Sequence, residues 1–540
     1  NRDMAKPRKL FLRNKRRAER SGGRHPGHPQ HPSQIQHQQH PQQSQQADDF
    51  SSILKQSVGS KVNSGTHVTL HLGPANSGKT FSAIEILKQS ATGIYLAPLR
   101  LLAWEVSDKL NAQGHPCSLL TGEEKIIIPD APFLSATVEM FNPDFRGDCI
   151  VLDESQMLAD TQRGWAWMRV LSMAQVRRIE IIASPDSEVL LSKILKKLGY
   201  KFTVMHHERL APLTVAQKPW RIDAPEDHTI FVVFSRAGVL SLKTYFERRG
   251  WSVSAIYGNL PPEVKRKQAE HFLTGKSKLC VATDAIGMGI NLPASKVCFT
   301  TLTKYDGQDE RILTPAETRQ IAGRAGRFGM KENGEVGALT HEQIKLLHHL
   351  LSIKPPDLEF ARVAPDISEI ESMTGPLALR LDYWEKHKAI PSELKDIILP
   401  MDLEHQKTLA GFLKEEEVQR LGLETVFTLI KAPASRDTFS FWWACVRSVI
   451  DNKPFPLPLA LSRPDPQKDD LLLTTENFVE QCDIYLWLSN RKELSRHGAD
   501  REKVLQHKWD LIEKIDRTLT AKTDLRNKCR KCNNTLPVLH

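Results

Sequence analysis

Residues 73–80 read Gly-Pro-Ala-Asn-Ser-Gly-Lys-Thr, directly after an apolar, strand-like run from Val68 to Leu72. No other feature constrains the fold as tightly as this loop held between a strand and a helix. Small residues let successive main-chain N–H groups converge on a phosphate, a lysine reaches the β- and γ-oxygens, and a hydroxyl is placed for Mg2+. Gly73, Pro74, Ala75, Asn76, Ser77 and Gly78 are therefore read as the cradle, Lys79 as the phosphate cation and Thr80 as a metal ligand. Further on, Val-Leu-Asp153-Glu154-Ser-Gln156 closes a second apolar run. Asp153 is the expected partner of the metal, directly or through water, and Glu154 the general base for an attacking water. Gln156 is expected to sense the γ-phosphate and to contact a partner domain. The set predicts a nucleoside triphosphate hydrolase using Mg2+, with no residue that forces the choice of adenine.

At 540 residues the chain has room for several domains. Between 65 and 205, short β-branched runs alternate with amphipathic helical ones, the pattern of a parallel sheet covered on both faces. After a polar linker near 206–228 the alternation restarts without a second Gly-Lys-Thr. From about 345 the apolar spacing becomes helical. The expected division is a tail over 1–50, α/β units over 51–210 and 211–345, a helical accessory region over 346–520 and a short tail over 521–540. Trp442, Trp443, Tyr485 and Trp487 are read as packing residues rather than as platforms for bases.

Net charge is +10, but residues 1–24 carry ten Lys and Arg against Asp3 and Glu19, leaving 64 basic against 62 acidic residues elsewhere. Any nucleic-acid groove in the folded part must then come from local placement of charge. Residues 25–48 are dominated by His, Gln, Pro and Ser, a composition that predicts disorder. The basic stretch reads as an RNA-binding arm or as a solubilising tail. No run of eighteen apolar residues suggests a membrane span. Eight scattered cysteines fit reduced thiols. Cys529 and Cys532, spaced Cys-x2-Cys, are either half of a zinc site or an exposed thiol pair.

Two constellations mark the second unit. Val281 to Asn291 is a strand running into a glycine-rich loop, with Asp284 and Gly287 expected at the nucleotide and Thr283 and Asn291 at a nucleic-acid phosphate. Gln320, Arg324 and Arg327 fall at i, i+4 and i+7, which would place them on one helix face opposite the triphosphate. Arginine's fork suits the charge that develops on the γ-phosphate.

Taken together these residues resemble superfamily 2 helicases, and closely the Suv3 family of ATP-dependent RNA helicases, known from mitochondria and also found in bacteria. Ala97 to Ala103, Thr121 to Glu124, Ala136 to Met140, Arg163 to Trp167, Ala255 to Pro262 and Asp483 to Ser489 extend the likeness over roughly residues 65–495. The resemblance implies two tandem RecA-like domains forming an ATP cleft, followed by a mainly helical C-terminal region. It implies 3′-to-5′ translocation on single-stranded RNA, unwinding of duplex RNA and in many members DNA, and work beside a 3′-to-5′ exoribonuclease in RNA decay. Pro98, Leu99, Arg100, Thr121, Gly122 and Thr137 would hold the backbone of the tracked strand. Ser155 replaces the family's usual aliphatic residue, and Ala183 to Glu188 departs from the segment that couples its domains; Ser184 is the candidate substitute hydroxyl. The His/Gln-rich head and the Cys pair tilt the expectation towards a bacterial cytoplasmic protein, with a mitochondrial one as the alternative. A DNA helicase of genome maintenance and a non-catalytic scaffold are the competing readings.

Overall fold

The computed structural model describes residues 65–521 except 211, 288, 291, 307–308, 327–333, 389 and 459–470. The predicted N-terminal tail, Asn291, Arg327, Cys529 and Cys532 lie outside the described residues.

Eight strands build the first sheet: β1 (His67–Leu72), β2 (Gly93–Ala97), β3 (Cys117–Leu120), β4 (Lys125–Ile126), β5 (Phe133–Thr137), β6 (Arg146–Leu152), β7 (Gln175–Ala183) and β8 (Lys201–His206). Their order is β4-β3-β5-β2-β6-β7-β1-β8, parallel except for the β3–β4 hairpin. Helices α1 (Lys79–Lys88), α2 (Arg100–Ala112), α3 (Trp165–Met173) and α4 (Glu188–Lys197) connect and cover it. The central strands are apolar runs because both faces are covered: Val68, Leu70, Ile150, Leu152, Ile179 and Ile181 have no exposed surface.

The second sheet uses β9 (Leu213–Val215), β10 (Thr229–Val232), β11 (Val253–Ile256), β12 (Leu279–Ala282) and β13 (Lys296–Phe299). A hairpin of β14 (Thr303–Tyr305) and β15 (Glu310–Ile312) precedes its last strand, β16 (Gly334–Ala338). Strand order is β11-β12-β10-β13-β16-β9. Part of the stretch read as linker is thus structured: β9 is an edge strand, aligned parallel with β16. Helices α5 (Arg236–Glu247), α6 (Pro262–Leu273), α7 (Pro315–Ala322) and α8 (His341–Ser352) belong to this unit. Two RecA-like parallel-sheet domains are therefore followed by a mainly helical region. That region contains α9 (Ile367–Glu371), α10 (Leu377–His387), α11 (Glu404–Ala410), α12 (Glu415–Leu421), α13 (Leu423–Ile430), α14 (Phe439–Ile450), α15 (Leu471–Ser489) and α16 (Arg501–Thr520), with a short strand pair, β17 (Ala361–Val363) and β18 (Ile398–Pro400).

The helical region docks on both sheets through α15 and α16. Arg100, at the start of α2, lies 3.1 Å from Asp483 of α15 and 3.2 Å from Glu123. Lys508 of α16 binds the same Asp483 at 2.8 Å and also Glu263 of α6. Burial pushes the Asp483 carboxyl up, but Arg100 and Lys508 outweigh it and hold the group below the usual carboxylate range. Nearby, Arg236 of α5 and the Tyr257 hydroxyl both bind the buried Glu476 of α15.

Asp483→Ala would leave Arg100 and Lys508 buried with one counter-charge each. Removing one member of a buried pair costs roughly 3–5 kcal/mol, so the variant is expected to melt at a clearly lower temperature than the parent. Alanine at the exposed Arg221–Asp223 pair should leave melting unchanged. Equal melting of Asp483→Ala and the parent would remove the cluster from the account of how the domains are joined.

Candidate nucleotide site and strand path

The residues read as a phosphate site gather at the carboxyl ends of strands, where doubly wound sheets leave a crevice. Gly73 follows β1 and Asp153 follows β6. The loop bends through two left-handed residues, Asn76 at φ 60° and Gly78 at φ 78°, a conformation that glycine and asparagine adopt at little cost. Gly73 has no room for a side chain, since a Cβ would lie 2.6 Å from the His207 carbonyl oxygen and 2.7 Å from Ser77 Oγ. The Ser77 hydroxyl is buried and has no hydrogen-bond partner among the described residues, which leaves a donor for an anionic oxygen. Lys79 Nζ curls back to donate to the Pro74 carbonyl at 2.9 Å. Hydroxyl, ammonium and carboxylate groups of this kind fit a triphosphate with Mg2+, a hard cation that takes oxygen ligands. When bound, the metal neutralises charge on the phosphate oxygens.

Beneath the loop, His71 and Glu180 are both fully buried, with His71 Nε2 2.7 Å from Glu180 Oε2. His71 Nδ1 lies 3.0 Å from His207 Nε2.

Asp153 is almost wholly buried. The Tyr95 hydroxyl donates to its Oδ2 at 2.5 Å and the Glu154 N–H to its Oδ1 at 2.8 Å. Trp167 Nε1 donates to the Asp153 carbonyl at 3.0 Å and fixes the strand end from below. Burial, reinforced by the charge of Glu154, pushes the Asp153 carboxyl up to about 7. Glu154 itself sits at φ 48°, a left-handed setting uncommon for a non-glycine residue and typical of functional loops. Gln156 donates its amide to Glu154 and accepts the Ser184 N–H at 3.2 Å. It therefore links the acidic strand end to the end of β7 inside its own domain, not to the second domain as expected. The Ser184 hydroxyl is turned to Asp186, so the main-chain N–H makes the link that the hydroxyl was expected to supply. Ser155, fully buried, satisfies its hydroxyl on the Leu152 carbonyl at 3.0 Å.

Opposite the loop stands the end of α7. Thr314 and Glu317 form a capping box with Pro315 at the first helical position. Against the upward push of burial, hydrogen bonds from Arg311 and Lys304 hold the Glu317 carboxyl down to about 2. The helix stops at Ala322, so Arg324 lies in the turn beyond it and not on one helix face with Gln320. Gly323 caps the helix, Ala325 pairs with Ala294, and the chain turns left-handed at Gly326 (φ 73°). Arg324 donates to the Gly287 carbonyl at 2.5 Å, and Gln320 packs on Gly287, where a Cβ would come within 3.3 Å of its Cγ. Asn76 of the loop donates to the carbonyls of Gly323 (2.6 Å) and Gly326 (2.9 Å). Loop and arginine turn are thus in direct contact. Asp284 does not point at the loop free of partners, because Lys304 of the hairpin holds its carboxylate at 3.0 Å. Thr283 is buried and accepts the Ala285 N–H at 3.2 Å.

Residues expected to touch a strand divide into two groups. Pro98 gives its carbonyl to Arg163, and Leu99 packs on Gly289 of the second domain, where a Cβ would fall 2.3 Å from Leu99 Cδ1. Thr137 is buried at the end of β5. Arg100 and Gly122 instead meet the helical region, and Thr121 directly precedes Gly122. Arg100 is held by Asp483; Thr121 is fully buried and accepts the Glu124 N–H at 3.0 Å. The Gly122 carbonyl accepts from Asn490 at 3.1 Å, and a Cβ on Gly122 would lie 2.6 Å from Trp487 Cδ1. Each of the three has its polar group satisfied within the protein: Arg100 by Asp483, the Thr121 hydroxyl by the Glu124 N–H and the Gly122 carbonyl by Asn490. Sequence reading missed Tyr95, whose hydroxyl meets Asp153 across the sheet, and the charge partners on α15 and α16. No local pattern could have revealed those contacts.

Residues 60–207 match the DEXQ-box helicase domain of Suv3, and residues 220–329 a helicase conserved C-terminal domain. A mitochondrial DExH-box ATP-dependent RNA helicase of Arabidopsis thaliana, DExH16, is 36% identical over 448 residues, covering 81% of this chain and 77% of the relative. The chain belongs to the Suv3 family of superfamily 2 helicases. It carries both domains of an ATP-dependent helicase. The mitochondrial ATP-dependent RNA helicase SUV3 of Saccharomyces paradoxus is 39% identical, covering 84% of this chain and 65% of that one. Its namesake in Oryza sativa is 42% identical over 55% of this chain and 52% of its own length. The chain thus spans about three quarters of the Arabidopsis relative and less than two thirds of the other two. Among solved structures, the DUF1998 helicase MrfA bound to DNA aligns with a TM-score of 0.40 at 15% identity, covering 57% of this chain and 49% of that one. These Suv3 relatives, from plants and fungi and also from human and mouse, are named as mitochondrial. That overturns the expectation of a bacterial cytoplasmic protein: a His/Gln-rich head and a cysteine pair were weak guides to source. Among the described residues no cluster of three or more His, Cys, Asp or Glu could hold a metal, and none of their helices is long and apolar enough to cross a membrane.

Asp153 yields a pH test. Its folded value of about 7 exceeds the ordinary carboxylate value of about 3.9, so the fold retains a proton that the unfolded chain has released. Without Mg2+, stability from this group is present below pH ~4 and is lost as the pH rises to about 7. Asp153→Asn is expected to abolish turnover yet stabilise the nucleotide-free protein at pH 8 by on the order of a few kcal/mol, seen as a higher melting temperature. The gain should shrink as the pH is lowered towards 5. A melting difference independent of pH would show that the Asp153 carboxyl titrates normally.

Proposed function

We propose that this helicase moves 3′-to-5′ along single-stranded RNA, separates RNA–RNA and RNA–DNA duplexes, and acts in mitochondria, feeding strands to a 3′-to-5′ exoribonuclease. The observation that carries the motor reading is the direct contact of Asn76 in the phosphate loop with Gly323 and Gly326 beside Arg324. A triphosphate in the cradle would lie between the two domains, so binding and release act on the same seam that joins them. In this reading Lys79 and the loop amides bind phosphate, Glu154 accepts the proton of the attacking water, and Arg324 supports charge developing on the γ-phosphate. The names of the mitochondrial RNA helicases to which the chain is similar support RNA as substrate and the mitochondrion as compartment. Polarity and the exoribonuclease partner rest on the family resemblance.

Strand separation on matched RNA–RNA, RNA–DNA and DNA–DNA duplexes, each with a 3′ or a 5′ tail, tests the reading. Unwinding of 3′-tailed RNA-containing duplexes by the parent, with loss in Lys79→Ala, is the expected result. Preference for DNA–DNA would move the protein to genome maintenance, and a requirement for a 5′ tail would reverse the polarity.

A further inference from the structure

The segment joining the two sheets runs along the phosphate loop. The His207 N–H donates to the Leu72 carbonyl at 2.7 Å and the Leu210 N–H to the Asn76 carbonyl at 3.0 Å. Between them, the Arg209 side chain crosses to the second domain. Its Nη1 lies 3.4 Å from the Ala75 carbonyl oxygen and 3.5 Å from that of Gly323, and Nη2 donates to the Ala325 carbonyl. One guanidinium therefore touches main chain of the phosphate loop and main chain on both sides of Arg324. Burial pulls its affinity for the proton down, yet arginine remains charged. Arg209 falls outside both segments matched to family domains, 60–207 and 220–329.

We infer that Arg209 is a positioning residue for hydrolysis, fixing the Gly323 and Ala325 carbonyls and through them the aim of Arg324 at the cleft. The chemistry favours arginine specifically. Three carbonyl oxygens on two domains call for a planar fork with several N–H donors, and a lysine ammonium on a flexible stem cannot hold all three in one geometry. Arg209 is not asked to touch the nucleotide: its guanidinium bonds main-chain carbonyl oxygens, whereas phosphate is read by loop amides and Lys79. Its loss should therefore leave ATP binding alone and weaken only the step that needs Arg324 in place.

The inference rests on the cleft being the site of ATP turnover, so Lys79→Ala is measured beside the parent. Steady-state ATP hydrolysis by the full chain at saturating single-stranded RNA is compared for parent, Arg209→Ala and Arg209→Lys, with thermal melting of each. The expected result is at least a tenfold fall in kcat for both variants, with KM for ATP within twofold of the parent. Arg209→Lys keeps the charge and the bulk, and decides the matter if the alanine variant does not fold. Parental kcat in Arg209→Lys, or a loss carried by KM alone, would overturn the inference. A parent without turnover, or an undiminished Lys79→Ala, would instead remove the cleft assignment.

Discussion

Arg100, Lys508, Glu123, Glu263 and Asp483 bring two cations and three carboxylates together where both sheets meet the helical region. Buried ion pairs of this kind add little net stability over apolar packing, because taking each charge out of water is expensive. What they supply is selectivity of docking. Arg100 and Lys508 both need Asp483, so a slip of α15 or α16 along either domain would strand a charge. Trp487 of α15 and Asn490 just beyond it close over Gly122. Arg100 and Gly122, both expected to grip a strand, are thus also residues that meet the helical region.

The seam at the phosphate loop is built from other material. Asn76 and Arg209 reach main-chain carbonyls of the arginine turn, and such hydrogen bonds contribute about 1 kcal/mol each, with charge-assisted ones somewhat more. They exchange readily for bonds to a ligand or to water. The buried cluster does not, since parting its members exposes unpaired charge to an apolar interior. One junction between the domains is therefore hard to separate and the other easy. In the proposed reading, that contrast would give ATP binding a seam to open and close while α15 and α16 keep hold of both domains.

The phosphate loop, Asp153, Glu154 and the strand–helix alternation were legible in the sequence, because each is written in a few consecutive residues whose spacing has one physical use. The packing role of Trp442 and Tyr485 was legible for a similar reason: apolar helical spacing predicts burial. Both are fully buried, and Trp442 Nε1 finds the Leu429 carbonyl at 2.8 Å. What failed to show is long-range. Nothing near Arg100 announces Asp483, nothing near Tyr95 announces Asp153, and the turn that takes Arg324 off the helix depends on Ala325 meeting Ala294. Helical spacing carried the i, i+4 pattern past Gly323, where the chain had already left the helix.

The turn after β7 shows how a main-chain donor can make a link that needs no particular side chain. Ala183 ends β7, and the next N–H, that of Ser184, reaches the Gln156 side chain, which in turn holds Glu154. A main-chain donor is present whatever side chain stands at 184, proline excepted. The serine hydroxyl is free to serve Asp186, and the three-residue turn Pro185–Ser187 leads directly into α4. The link from acidic strand end to neighbouring strand is thus made by main chain where β7 stops, with the register of β6 against β7 holding it.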